Sequence, residues 1–185
     1  MHALETRLGY SFHSPALLEN ALYHSSYANE HRGAGISSNE RLEFLGDAVL
    51  GFVTAEYLYA KHPDLPEGDL TRIRAALVCE ESLHEVAQQL GLGEYLRLGR
   101  GEELGGGRRR PSILADATES VFAAVYLDGG MDAARDLIHR VLLDKEQEEQ
   151  VEERRRDYKT ELQELVQRRP EQVLRYEMTG TSGPD

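Results

Sequence analysis

The sequence predicts an all-α body over residues 1–150, and three observations carry that reading. Apolar residues recur at helical spacing along nearly the whole stretch, broken at Pro and Gly. No segment of it alternates with period two, as a half-buried strand would. The 185 residues are 40% hydrophobic and 29% charged, which suits a domain with a real core rather than a disordered chain.

The elements follow in order. Ser14-Pro15 places a capping residue before a Pro at the first helical position, and opens a helix to about Tyr23. Ser38-Asn39 caps a long helix, ERLEFLGDAVLGFVTAEYLYAKH, that Pro63 stops. A third starts near Pro66-Glu67 and runs through DLTRIRAALV; a fourth, SLHEVAQQL, ends at Gly91. LGLGEYLRLGRGEELGGGRRR is rich in Gly and Arg and reads as a loop with room for one short turn. Pro111 opens SILADATESVFAAVYL, closed by Asp128-Gly129-Gly130, and a last helix runs from near Asp132 towards Glu149.

Beyond residue 150 the pattern changes. Residues 151–156 close a charged run without an apolar stripe and read as a linker. DYKTELQELVQRR is a short amphipathic helix, and VLRYEMTG is the first strand-like pattern of the chain. One helix and one strand cannot close a core, so residues 157–185 are expected to be the incomplete start of an α+β domain.

Composition narrows the function. No apolar run reaches the roughly 20 residues of a membrane helix. MHALETRLGYSF lacks the basic and apolar regions of a secretion signal. The single Cys79 excludes internal disulfides and CxxC metal sites, and is expected to be a small buried residue; together these point to the cytoplasm. Net charge is -12, concentrated in residues 1–150, which hold 14 basic and 25 acidic residues. Such a body repels phosphates unless divalent cations intervene, and hard cations favour carboxylate oxygens.

Two helices carry the carboxylates. At 100° per residue, Glu40, Glu43 and Asp47 fall within an arc of roughly 60°, opposite Leu42, Leu45, Val49 and Phe52, which form the expected core face. Asp116 and Glu119 lie one turn apart on the later helix, with small Ser112 and Ala123 on the same face. Facing each other in a bundle, Glu43/Asp47 and Asp116/Glu119 make an oxygen-rich site for Mg²⁺ or Mn²⁺.

These words carry a family resemblance. NERLEFLGDAVL (Asn39 to Leu50) resembles the signature of ribonuclease III, the endonuclease that cuts double-stranded RNA. ALYHSSYANE, PEGDLTRIRAALV and GGGRRRPSILADATESVFAAVYLD are similar to three further blocks of that family, in the same order. DYKTELQELVQ, then Tyr176 and GPD, resembles the start of the double-stranded-RNA-binding domain of bacterial members.

The resemblance implies a helical endonuclease domain over residues 1–150, a linker over 151–156 and a truncated RNA-binding domain over 157–185. It implies Mg²⁺ held by Glu43, Asp47, Asp116 and Glu119, with Mn²⁺ able to substitute. Asp47 and Glu119 are implied as catalytic, with Asp47 binding the ion or positioning the attacking water. Glu40 and Glu67 are accessory acids of the same valley. The implied products carry 5′-phosphates and 3′-hydroxyls with a short 3′ overhang, in rRNA and other RNA processing. A homodimer is implied, with Phe44 at its interface. Ser25 departs from the pattern, which commonly has Lys there, and weakens one phosphate contact. Arg108, Arg109, Arg110, Arg72 and Arg74 are candidates for gripping RNA.

Other motifs are decoys. GRGEELGGGRRR lacks the G-K-[ST] of a phosphate loop, and the ExxH at Glu81–His84 has no second copy to build a di-iron site. His24 lies in a family block and reads as structural. Two rival functions remain distinct: an all-α Mg²⁺-dependent nucleotide pyrophosphohydrolase, and an RNA-binding scaffold without chemistry. The first needs paired acids close in sequence, whereas Glu43 and Asp116 are far apart; the second predicts missing acids, and none is missing.

Overall fold

Pro111 begins the helix on which the other described elements are assembled. The computed structural model of the chain describes residues 1–144; the linker and RNA-binding expectations for 151–185 lie outside them. In that range α1 is His2–Leu8, α2 Pro15–Ala21, α3 Ser25–Glu30, α4 Glu40–Lys61, α5 Glu67–Leu77, α6 Glu80–Leu90, α7 Arg100–Leu104 and α8 Pro111–Ile138. No strand occurs among the described residues, only a single bridge between Tyr23 and Arg97.

α8 is apolar nearly all round, and such a helix belongs at the centre. Leu114, Ala117, Val121, Phe122, Ala124 and Val125 are among its buried residues. Its two charged residues between Pro111 and Leu127 are Asp116 and Glu119. α4 lies along one side of it, burying Leu42, Val49, Leu50, Val53, Tyr57 and Leu58. α6 and α2 pack on other sides. Gly130 breaks α8 with φ of 82°, a conformation that favours Gly, so the predicted stop at Asp128-Gly129-Gly130 is a kink between two helical segments. The second segment runs to Ile138 and a π-turn to Leu143.

Four expectations change. Phe52 is 53% exposed rather than core, because α4 turns Gly46, Val49 and Val53 towards α8. The Gly- and Arg-rich segment holds more structure than one turn: α7 and two 3₁₀ turns, Leu92–Glu94 and Gly107–Arg109. α1 and α3, seven and six residues long, escaped the periodicity reading because helices so short show little of it. Cys79 is half-buried and precedes α6, with its thiol 3.3 Å from Ser82 Oγ.

The caps also work differently from their sequence signals. Neither Ser14 nor Asn39 caps its own helix through its side chain. Asn39 instead is buried and donates from Nδ2 to the Ala21 carbonyl, while its own carbonyl accepts from Ser120 Oγ. That pair ties the start of α4 to both α2 and α8.

Asp128 makes the matching joint at the other end. Its side chain is 2% exposed and accepts from Tyr10 Oη, His13 N and Ser14 N, each at 2.8 Å. Burial alone pushes its carboxyl up, but these bonds outweigh it and hold it at about 2. The same burial and bond push the Tyr10 hydroxyl up to about 12. A carboxylate held below its ordinary value stabilises the fold above about pH 4, and that stability is lost as pH falls towards 2. Asp128→Asn is therefore expected to be less stable than the parent by about 1–3 kcal/mol at pH 7. The gap should close on acidification. Denaturant titrations of both proteins at pH 7 and pH 2.5 test this, and a constant gap would count against it.

Candidate active site

The close approach of α4 and α8 is made by a missing side chain. A Cβ on Gly46 would lie 1.9 Å from the Glu119 carbonyl oxygen and 2.4 Å from its carbon. Only Gly lets the two backbones meet there. Gly46 stands between Glu43 and Asp47 in sequence, so the contact brings that pair against Glu119. The small residues expected to allow such an approach were Ser112 and Ala123; the residue that allows it is on the facing helix. A signal was present, since Gly inside a strong helix costs roughly 1 kcal/mol against Ala and calls for a packing reason.

Glu43, Asp116 and Glu119, all half-buried, each bring one carboxylate oxygen within 4.8 Å of the others'. Burial raises the Glu119 carboxyl to about 7, helped by the charges of Asp47, Glu43 and Asp116. Glu43 is raised by burial and then by Asp116, Glu40 and Asp47. Asp116 is raised by burial, partly offset by the His24 imidazole, with Glu80 adding to the rise. Asp47 is exposed and stands outside the tight triplet, but its charge reaches both Glu43 and Glu119.

The accessory acids sit further out. Glu40 is exposed at the first turn of α4 and accepts from Ser38 Oγ at 2.6 Å. Glu67 begins α5, accepts from Thr71 Oγ1 at 2.9 Å, and lines a separate groove with Leu58, Tyr59 and Arg74. The structure therefore brings together Glu43, Asp116 and Glu119 with Asp47 beside them, and leaves Glu67 apart within one chain.

Three half-buried carboxylates this close together, with Glu43 and Glu119 raised by their acidic neighbours, form an arrangement that a cation would relieve. The donor set is all oxygen and anionic, which suits a hard divalent ion, and a bound ion would reverse the rise. The residues present fit such an ion.

The arginines sort unexpectedly. Arg108 is bound to Glu103 through Nε at 2.5 Å and to the carbonyls of Gly93 and Leu96 at 2.9 Å each. Arg110 pairs with Glu102, and Arg72 with Asp69. These three brace loops and helix starts. Arg109 and Arg74 make no ion pair among the described residues, and remain the candidates for phosphate contact.

This architecture is that of a helical nuclease domain. Solved structures of the nuclease domain of ribonuclease III from Campylobacter jejuni superpose with a TM-score of 0.70 at 42% identity, one of them covering 75% of this chain and 93% of that one. That structure is described as showing flexibility in a region involved in dimer formation. Residues 14–146 match the family model described as Ribonuclease-III-like. Ribonuclease 3 of Desulforamulus reducens is 50% identical over 182 residues, covering 98% of this chain and 74% of the relative. Ribonuclease 3 of Listeria welshimeri is 46% identical over 185 residues, covering 98% and 79%. The chain belongs to the ribonuclease III family and is an endoribonuclease acting on RNA. No helix among the described residues is long and apolar enough to cross a membrane.

Proposed function

We propose that the chain is a Mg²⁺-dependent endonuclease of double-stranded RNA, leaving 5′-phosphates, 3′-hydroxyls and a short 3′ overhang. The observation that carries it is the triplet of oxygens from Glu43, Asp116 and Glu119 within 4.8 Å, on two helices that Gly46 holds in contact. Those three residues hold the ion, with Mn²⁺ able to substitute, and Asp47 completes the shell or orients the attacking water. When bound, Mg²⁺ makes water a better nucleophile and neutralises charge gathering on the phosphate.

The chain's own residues do the rest. Partial burial of Glu119 and Asp116 weakens the screening of their charges by water, which strengthens their pull on a bound cation. Glu40 and Glu67 are accessory acids, the second lining a groove of its own within one chain, and Arg109 and Arg74 meet phosphates. Phe44 is 81% exposed and Tyr59 78% exposed, and with Phe52 they share one face of α4. An apolar stripe of this kind supports a homodimer through that face, with Phe44 at the interface. Two sites in such a dimer would cut opposite strands. The domain division at 1–150, 151–156 and 157–185, with the last segment assigned to RNA binding, belongs to the same reading. So do a cytoplasmic location and a role in rRNA and other RNA processing.

Cleavage of an end-labelled RNA duplex at low salt, with Mg²⁺, with Ca²⁺ and with EDTA, tests the proposal. Mg²⁺-dependent cuts on both strands with a 3′ stagger are expected. Cutting that persists in EDTA, or RNA bound but never cut in Mg²⁺, would sink it.

A further inference from the structure

We propose that the Ser120 hydroxyl is a second pin between α4 and α8, and that Ser120 is a positioning residue which holds Glu43 in place against Glu119 and Asp116. The assignment rests on the metal-centre reading of those three carboxylates.

Ser120 is fully buried in the apolar middle of α8, between Glu119 and Val121. A hydroxyl inside a helix commonly turns back to the carbonyl four residues earlier. Thr118 does so, donating to the Leu114 carbonyl at 2.9 Å. Ser120 donates across the helix interface, to the Asn39 carbonyl at 3.3 Å. That carbonyl also accepts from Glu43 N at 2.9 Å, in the first turn of α4. One oxygen therefore joins the backbone of one acidic residue to the neighbour of another.

The first pin is the meeting of Gly46 with the Glu119 backbone. Asn39 and Gly46 are seven residues apart, about two turns of helix, with Glu43 between them. A single contact lets two crossed helices swing about it, and such a swing would carry Glu43 towards or away from Glu119. A second contact two turns away removes that freedom. Asn39 is itself anchored, so this pin bears on something fixed. Its N–H donates to the Tyr23 carbonyl at 2.8 Å, and its Nδ2 to the Ala21 carbonyl at 3.2 Å. A ligand set whose oxygens lie within 4.8 Å of one another depends on that support, because metal affinity follows how well the ligands are held in position.

Positioning and stability separate at this residue. Without the hydroxyl, the Asn39 carbonyl keeps its bond from Glu43 N, so Ser120→Ala strands no buried polar group. Ala is also a better helix former than Ser. What the variant loses is the tie between the two acidic helices.

The test titrates the full chain, without RNA, with Mn²⁺ and reads the free ion by EPR. Ser120→Ala is expected to melt close to the parent in EDTA and to bind Mn²⁺ about 2- to 10-fold more weakly, the net worth of one hydrogen bond. Ser120→Cys, larger than the parent residue and a weak donor, should lose affinity in the same range. Ala removes volume and Cys adds it, so a loss shared by both follows the hydroxyl and not the packing. Parent-like affinity in Ser120→Ala, a large fall in its melting temperature, or affinity restored in Ser120→Cys would overturn the assignment. Glu119→Gln leaves Ser120 intact and tests the metal centre alone. If it binds Mn²⁺ as the parent does, that centre is misread, and the role of Ser120 falls with it.

Discussion

Glu119→Gln should abolish RNA cutting and, without divalent cations, make the protein more stable. The first effect follows from the loss of a ligand and its charge. Metal-assisted stabilisation of the transition state is worth several kcal/mol, so activity should drop at least about a thousandfold. The second follows from the raised carboxyl of Glu119, at about 7 against an ordinary 4.5. A group raised in this way stabilises the fold below its ordinary value, and that contribution is lost as pH rises through 7. Above pH 7 the ionised Glu119 is a net burden beside Asp47, Glu43 and Asp116. Gln carries no charge, so the variant should gain on the order of 1–2 kcal/mol at pH 8 and nothing near pH 4.5. Added Mg²⁺ should reverse the order, because an ion that binds only the folded parent stabilises it by mass action. Thermal melts at both pH values, with EDTA and with Mg²⁺, check this alongside duplex cleavage. A variant that cuts within tenfold of the parent, or melts identically in every condition, would show that Glu119 is not a buried metal ligand. Functional groups commonly carry this trade between stability and chemistry.

Gly46→Ala is the second large effect, and here two physical terms oppose each other. Helix propensity favours Ala over Gly by roughly 1 kcal/mol. The tertiary contact disfavours it, since the new Cβ would sit 1.9 Å from a backbone oxygen of Glu119. Backbone cannot swing aside as a side chain does, so α4 and α8 must separate. Overpacking of a well-packed core costs about 1–3 kcal/mol, and a contact this short lies at the upper end. The net change should therefore be destabilising. The larger loss is in the site. Glu43 and Asp47 sit on either side of Gly46, and a shift of about 1 Å in reacting groups costs on the order of 100-fold in rate. Cleavage should fall by about that factor in a protein that still folds. Cleavage rates together with chemical denaturation decide it. A more stable and fully active Gly46→Ala would mean that propensity wins and the helices are not in contact at this point.

That opposition shows where sequence reading stops. Propensity is local and visible in the letters; the Glu119 backbone is 73 residues away in the chain from Gly46. The same separation explains the arginines. Arg108, Arg109 and Arg110 are indistinguishable as a run of three. Glu103 and the carbonyls of Gly93 and Leu96 claim the first, Glu102 claims the third, and the second is left over. Phe52 gives a further instance, since the long helix has an acidic arc and two apolar flanks, and helical spacing cannot say which flank meets α8.

The all-α character of residues 1–144, the helix starts at Pro15 and Pro111 and the break at Gly129-Gly130 were legible in the sequence, because helical periodicity and the chemistry of Pro and Gly act over a few residues. The two acidic pairs were legible for the same reason: one turn of helix sets which side chains share a face. Tertiary structure alone decided that Glu43, Asp116 and Glu119 converge while Glu67 lines another groove, and that Gly46 is the point of contact. Those outcomes depend on which faces of distant helices bury one another, and burial is a property of the assembled core rather than of any segment.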